Sequence, residues 1–319
     1  MQMTVLVTGS GGVIGKAVRR LASEYPGYRY EFATSASADL TSADACRDLF
    51  DRVKPDWVLH LAALSGGIGL TKAHPARVLR DNVLMNINVL ECARAHSVKK
   101  TVMTLSSGMY PPEAPMPLAE DSIHNGPAHP SNYSYSYAKR LVEPLIHSYR
   151  AEFGMNVIGL IPNGVFGEGD NFSTEDSTLV AALIRRFYEG RNGTDPLIVW
   201  GDGSPLREFT YADDMARVYM WCLENYDQAQ ILNVGTTEER SVKDIALLIG
   251  NALGIATSRL SFDTTKPSGV PRKTTDNSRF VKLSGFEYTP FEVGLRRTVQ
   301  WYAVAAQQGE VNTRSKINK

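Results

Sequence analysis

The 319-residue chain predicts an α/β fold, a doubly wound parallel sheet carrying a smaller α/β cap. Three observations predict it. Short apolar runs rich in β-branched residues alternate with amphipathic helical patterns through residue 162, as in parallel strands joined by right-handed crossovers. A glycine-rich turn separates the first strand from the first helix. Beyond residue 162 the loops lengthen and the strands become short and scattered, which marks a second unit.

In chain order, residues 3–8 (MTVLVT) read as a buried strand. Residues 13–24 read as a helix with Val13, Ala17, Val18 and Leu21 on one face. A strand at 28–33, a helix at 42–53 ended by Pro55, and an apolar run at 57–61 follow. Then come a long helix at 76–96, a strand at 101–105, a helix at 135–152 that Pro144 should kink, and a strand at 157–161. Later strands are expected at 197–200, 231–234 and 260–262. Later helices are expected at 177–189, 213–225, 241–253 and 292–306. The first domain is thus placed at 1–162, with segments returning to it near 205–235, and the cap at 163–319. Residues 312–319 form a polar tail expected to fray.

Composition narrows the function. Hydrophobic residues are 43% and charged residues 21%, enough apolar surface for a sizeable core and too much for intrinsic disorder. Thirty-four basic and 34 acidic residues cancel, so nucleic acid and anionic membranes are not expected partners. No apolar run approaches the roughly 18 residues of a membrane span, and the start lacks the features of a signal peptide. Cys46, Cys92 and Cys222 are widely spaced with no CxxC, so neither a disulfide framework nor a zinc site is expected. The expectation is a cytoplasmic protein without a metal.

The glycine cluster sits where a strand ends and a helix opens. Its spacing is Gly9-x-x-Gly12-x-x-Gly15, with Gly11 between. Glycine lets the backbone approach a pyrophosphate, and a helix N-terminus favours its charge. Residues Gly9, Ser10, Gly11, Gly12, Val13, Ile14 and Gly15 are therefore expected to hold a dinucleotide, which makes the first domain Rossmann-type. The end of the second strand (FATSAS, 32–37) offers no acid for a ribose 2′-hydroxyl, and no arginine or lysine; Glu31 falls too early in the strand. The hydroxyls of Ser35 and Ser37 could hold a phosphate, so NADP(H) is preferred over NAD(H), with Asp39 and Leu40 toward the adenine.

A strand ends at Ser106-Ser107, and Tyr135 and Lys139 follow at i and i+4 on one helix face. A nearby ammonium should lower the tyrosine pKa and let the phenol act as a general acid or base beside a nicotinamide. Ser106 would bind the same substrate oxygen. Tyr133 and Tyr137 have no lysine four residues on, and a core or pocket-wall role suits them. His60, on an apolar strand, reads as a satisfied core residue, and Cys92 as packing.

Over residues 3–305 the chain resembles an extended short-chain dehydrogenase/reductase of the GDP-L-fucose synthase family. The resemblance rests on VTGSGGVIG at 7–15, HLAA at 60–63, GGIG at 66–69, SSGMYP at 106–111, HNGPAHPSNYSYSYAK at 124–139, NGVFGEGDNF at 163–172, LIRRF at 183–187, VWGDGSPLREF at 199–209 and DTTKPSGVPRK at 263–273. It implies NADPH-dependent chemistry on a GDP-linked 4-keto-6-deoxy sugar, with Ser106, Tyr135 and Lys139 as the catalytic triad. It extends the cofactor site to Leu61, Ala62, Ala63, Pro162 and Val165, beside Tyr135 and Lys139 themselves. Substrate contacts are expected from Ser107, Gly108, Met109, Asn163, Asn171, Thr178, Arg186, Trp200, Arg207 and Lys273, with Trp200 and Lys273 in the nucleotide pocket. A homodimer through the 76–96 helix and the helix near Tyr135 is expected by analogy.

The departures sharpen the expectation. The family's two epimerisations are associated with a cysteine two residues after the catalytic serine and a histidine after the DNF segment. Here these positions are Gly108 and Thr178. All six histidines (His60, His74, His96, His124, His129, His147) precede residue 148. Abstracting a carbon-bound proton needs a group poised near the operating pH, which neither glycine nor threonine supplies. The expected activity is C4 keto-reduction of a GDP-linked hexose or heptose without inversion, with Glu168 and His124 as possible substitute bases. The alternatives are a bifunctional GDP-L-fucose synthase, a 4-epimerase or dehydratase of the wider group, and a non-catalytic dinucleotide sensor.

Overall fold

The computed structural model describes residues 2–66, 68–266 and 268–313. The chain runs β1 (Met3–Thr8), α1 (Val13–Leu21), β2 (Tyr28–Ala33), α2 (Ala43–Val53), β3 (Trp57–His60), α3 (Ile68–Ala73), α4 (Pro75–Ala95), β4 (Lys100–Thr104), α5 (Tyr133–Arg140), α6 (Val142–Phe153) and β5 (Val157–Pro162). It continues through β6 (Gly164–Phe166), α7 (Leu179–Gly190), β7 (Leu197–Trp200), β8 (Leu206–Tyr211), α8 (Ala212–Asn225), β9 (Leu232–Val234), β10 (Glu239–Ser241), α9 (Val242–Ala252), β11 (Leu260–Asp263), β12 (Arg272–Lys273), α10 (Ser278–Ser284) and α11 (Phe291–Gln308).

Six strands form one parallel sheet in the order β2-β1-β3-β4-β5-β9. The inner strands β1, β3 and β5 are apolar almost without alternation because helices cover both faces, with Val5, Leu6, Val7, Val58, Leu59 and Ile158 wholly buried, whereas the edge strand β2 alternates. One face packs on α1 and α8 through Val18, Leu21, Met215 and Tyr219. The other packs on α2 and α4 through Leu49, Phe50, Val89 and Ala93. The order reverses between β1 and β3, and a crevice opens there beyond the carboxyl ends of the strands. The doubly wound α/β class expected from the sequence is the class observed. Although late in the sequence, β9 pairs with β5, at Leu160↔Leu232.

The cap has its own apolar cluster, built on Phe166, Phe172, Ile184, Phe187, Ile245, Ile249 and Leu295. Around it lie β10-β8-β12, with β6 also paired to β8, and the two-stranded β11-β7. The sequence pattern missed β6, β8, β10 and β12, together with the short helices α3 and α10. β6, β10 and β12, of two or three residues, carry too few alternations to register, and the six residues of β8 (LREFTY) mix charged with apolar side chains and pair with partners far away in sequence.

The expected 135–152 helix is two helices, beginning at Tyr133 and broken at Leu141. Pro144 lacks the N–H that would bond the Arg140 carbonyl, and the ladder resumes with Leu145 N–H to Leu141 O at 3.2 Å.

Candidate active site

A cleft of about 810 Å3 runs from the glycine turn across the strand ends to the cap. At its first end the backbone does the shaping. Gly9 has φ +68°, and a Cβ there would sit 2.5 Å from Ala62 N. A Cβ on Gly15 would meet Ser10 Cα at the same distance, whereas Gly11 and Gly12 face open cleft. Gly12 N–H closes the turn onto Gly9 O at 3.0 Å. Val13 and Ile14, at the start of α1, line the cleft, and first-turn N–H groups have no partner within a helix. Gly9, Gly11, Gly12, Val13, Ile14 and Gly15 therefore converge as expected. The Ser10 side chain does not; it is buried and donates to Ala33 O at 3.0 Å.

Beyond the turn, Thr34, Ser35, Ala38, Asp39, Leu40, Leu61, Ala62, Ala63 and Met85 line the cleft. Ser37 is spent on its own turn, bonding Thr34 O and Thr34 N–H at 2.9 Å each. Asp39 Oδ1 accepts the Thr41 N–H and hydroxyl. Glu31 points away and pairs with Arg29 at 3.3 Å.

Ser106, Tyr135 and Lys139 meet at the middle of the cleft. Lys139 is 1% exposed, a rare burial for a lysine; its Nζ donates to Thr104 O at 2.7 Å and lies 5.9 Å from the centre of the Tyr135 ring. Burial holds Lys139 well below its ordinary range, at about 8. Burial also pushes Tyr135 up to about 12, and a hydrogen bond with Ser106 offsets this only in part. The expected lowering of the phenol pKa by the ammonium is therefore corrected: each group is penalised in its charged form, and desolvation wins. The Tyr135 hydroxyl is protonated at neutral pH.

His60 is buried between Thr8 Oγ1 (2.8 Å) and Asn86 Oδ1 (3.1 Å), and desolvation drives it down to about 3. It is the satisfied core residue expected. Tyr133 and Tyr137 are exposed, with their rings 4.6 Å apart and tilted by 54°, so the core or pocket-wall role does not hold. Their positions on α5 turn outward from the face that carries Tyr135 and Lys139.

On the cap side the expected residues separate into three groups. Ser107, Gly108, Asn163, Asn171, Thr178 and Lys273 line the cleft, as do Pro162 and Val165. The Asn163 amide, however, is fully engaged: it donates to Glu208 Oε2 (3.2 Å) and Thr236 O (2.7 Å) and accepts from Thr210 Oγ1 (2.7 Å). Only its backbone remains for a ligand. Met109 is wholly buried in an apolar cluster with Leu105 and Tyr110, and is not a contact residue. Arg186, Trp200 and Arg207 do not line this cleft; Trp200 is 60% exposed on β7, and Arg186 donates to Ile198 O at 2.7 Å.

Arg207 and Lys273 are nevertheless register partners between β8 and β12. Both are held below their ordinary pKa by burial, and Arg207 depresses Lys273 further, to about 8. Neither makes a salt bridge among the described residues. Two adjacent, desolvated cations with no salt bridge among the described residues have the chemistry that suits an anion.

Glu208, which the sequence reading passed over, is buried and pushed up to about 7 by desolvation, partly offset by bonds from Thr275 and Asn163. Nothing local marks it, because its burial depends on Asn163 and Thr275, far away in sequence.

The substitute bases do not reach the cleft. His124 is exposed and pairs with Glu143 at 3.2 Å. Glu168 Oε1 accepts the Tyr211 hydroxyl at 2.7 Å, and Oε2 pairs with Arg20. At Gly108 a Cβ would lie 3.1 Å from Asn132 Nδ2, so that amide fills the neighbouring space. Thr178 opens α7, with its hydroxyl 3.5 Å from Asp170 Oδ2. Among the described residues lining the cleft there is no histidine, cysteine or glutamate.

The NAD dependent epimerase/dehydratase family matches residues 5–235. A GDP-L-fucose synthase of Dictyostelium discoideum is 35% identical over 304 residues, covering 94% of this chain and 95% of that protein. The chain belongs to the NAD-dependent epimerase/dehydratase family, in its GDP-L-fucose synthase branch. Among solved structures, a GDP-L-fucose synthetase from Naegleria fowleri bound to NADP superposes with TM-score 0.89 at 33% identity, covering 98% of this chain and 97% of the other. A GDP-mannoheptose C4 reductase from Campylobacter jejuni with NADP bound superposes with TM-score 0.84 at 25% identity, covering 95% and 98%. Proteins similar to this chain thus carry names that state a GDP-L-fucose synthetase and a GDP-mannoheptose C4 reductase.

Proposed function

We propose that the protein is an NADPH-dependent oxidoreductase that reduces the C4 ketone of a GDP-linked 4-keto-6-deoxy sugar, without epimerising C3 or C5. The observation that carries the reading is the content of the cleft: Ser106, Tyr135 and Lys139 together, and no histidine, cysteine or glutamate beside them among the described residues.

The residues fit a dinucleotide. The Gly9–Gly15 turn leaves a cradle that side chains at Gly9 or Gly15 would disrupt, and the start of α1 opens onto it. Thr34 and Ser35 supply hydroxyls at the adenosine end. When bound, the reduced nicotinamide supplies the hydride. The chain's own part is the proton. Tyr135 keeps its hydroxyl proton at neutral pH and donates it to the oxygen that was the ketone, with Ser106 holding the same oxygen. Lys139 stabilises the tyrosinate that remains. The unpaired cations Arg207 and Lys273 suit the diphosphate of a nucleotide sugar, and Trp200 and Arg186 extend this side across the cap toward the guanine.

Inversion at C3 or C5 requires removal of a carbon-bound proton. Gly108 has no side chain, and the Thr178 hydroxyl is far too weak a base near pH 7. The reading includes a homodimer, supported by the exposed Leu79, Leu84, Tyr133, Tyr137 and Leu141 on and beside α4 and α5. It also places the enzyme in the reducing cytoplasm, where its three buried thiols stay free. No described helix is long and apolar enough to cross a membrane.

The test is incubation with NADPH and GDP-4-keto-6-deoxy-mannose in deuterated water. NADPH is consumed and the product carries no solvent deuterium at C3 or C5. Deuterium at either carbon, or GDP-L-fucose as product, refutes the absence of inversion; no oxidation of NADPH refutes the reductase.

A further inference from the structure

The last described segment does not simply leave the molecule. Helix α11 ends at Gly309, in the left-handed conformation at φ +71°. Glu310 N–H then bonds back to Ala305 O at 2.9 Å, the reversal that a glycine cap permits. The chain turns onto the cap. Val311 packs against the cap's apolar cluster. The Asn312 carbonyl accepts the Phe172 N–H at 2.9 Å. Phe172 is wholly buried, with its ring 4.6 Å from that of Tyr302 and 6.1 Å from that of Trp301, both on α11. The segment is thus tied at Glu310, at Val311 and at the Asn312 carbonyl, and the expectation of fraying from residue 312 is corrected for Asn312 itself.

The tie brings Asn312 to the cleft wall, with Asp170, Asn171, Asp176, Ser177 and Thr178. Most of these polar groups are already committed: Asn171 Nδ2 donates to Asp176 at 2.9 Å, and Thr178 leans on Asp170. The amide of the half-buried Asn312 has no hydrogen-bond partner among the described residues, and it offers two donors and one acceptor. That combination reads hydroxyl groups, which both donate and accept.

We propose that Asn312 is a specificity-determining residue that hydrogen-bonds the hydroxyls of the sugar in the bound nucleotide sugar, held there by the Gly309 turn and the Phe172 tie. The proposal rests on the reading of the cleft as a nucleotide-sugar site. It commits the amide to the sugar rather than to the dinucleotide, whose phosphates would be an alternative source of acceptors at the same wall.

Binding rather than turnover tests it, using the full chain, Asn312→Ala, and calorimetric titration with GDP-mannose, GDP and NADPH in turn. The expected result is a loss of GDP-mannose affinity of about fivefold, near the worth of one hydrogen bond, with GDP and NADPH affinities within about twofold of the parent. Equal GDP-mannose affinity in the two proteins overturns the proposal. So does a loss confined to NADPH, which would assign the amide to the dinucleotide, or a loss shared by GDP, which would assign it to the nucleotide part. If the parent binds GDP-mannose through Asn312 yet reduces no 4-keto sugar, only the proposed reaction fails.

Discussion

The two ends of the cleft are made from different material. At the dinucleotide end the shape comes from backbone: a left-handed Gly9, a Gly15 packed on Ser10, and a helix start opening onto empty space. At the cap end it comes from side chains bonded to one another over long sequence separations, as Asn163 is to Thr210, Thr236 and Glu208. A backbone site survives as long as its few glycines do. A side-chain site can change its chemistry at single positions while the fold stays intact. Gly108 and Thr178 are side-chain positions of this kind on the cleft wall, and Gly108 also touches the catalytic set, its N–H donating to Ser106 Oγ at 3.1 Å. The difference teaches where chemical novelty enters this scaffold.

The largest effect should come from the shared middle. Tyr135→Phe removes the proton donor and should lower kcat by more than about 100-fold while NADPH still binds, as followed by cofactor fluorescence. Turnover like the parent's would take Tyr135 out of the reaction and leave both ends without a common centre.

Next is Gly9→Ala. Its Cβ would meet the Ala62 backbone at 2.5 Å in a left-handed conformation, and backbone cannot move aside as a side chain can. Destabilisation of about 2–4 kcal/mol is expected by denaturant titration, with NADPH affinity lost in parallel. A neutral substitution would mean that the dinucleotide end is not held by backbone shape.

The pH dependence comes third. Tyr135, up at about 12, keeps its proton across the working range, whereas Lys139, down at about 8, loses its charge as pH rises through that value. For reduction, kcat/KM should be level below pH 7 and fall above about 8, approaching tenfold per unit if the charge is essential. Lys273 titrates in the same window, at about 8. Lys273→Met should therefore raise KM but keep the falling limb; its disappearance would move the titration from the catalytic middle to the cap.

The smallest effect probes the cap end directly. Gly108→Cys with Thr178→His places a thiol and an imidazole on the cleft wall. Asn132 Nδ2 must yield by a few tenths of an ångström, since the new Cβ lies 3.1 Å from it. Deuterium from solvent should appear at C3 or C5 in a minor fraction of the product, measured by mass spectrometry. None at all would mean that the missing groups are not what prevents inversion.

Much of this was legible in sequence, unevenly. The Gly9–Gly15 turn is local: its spacing, the strand before it and the helix after it lie within 20 residues, so the pattern carries the geometry. Tyr135 and Lys139 lie four apart on one helix and were equally legible. The two-to-three-residue strands of the cap were not, and neither was Glu208, because its burial depends on Thr275 and Asn163. Met109 shows the opposite error: the resemblance implied a substrate contact, and the turn carries its side chain into the core.

The sequence by itself determined the fold class, the dinucleotide turn, the family and the absence of a histidine or cysteine at the two departing positions, because each is written in local spacing or residue identity. Only the tertiary structure decided which side chains remain available. Desolvation sets Tyr135 and Lys139 against the pKa shift that their spacing suggested. Long-range partners consume the Asn163 amide, and the pairing of β8 with β12 sets Arg207 beside Lys273 with no salt bridge to either among the described residues. A glycine turn at the end of α11 returns Asn312 to the cleft. Burial and pairing are properties of what the whole chain brings together, and no window of sequence contains them.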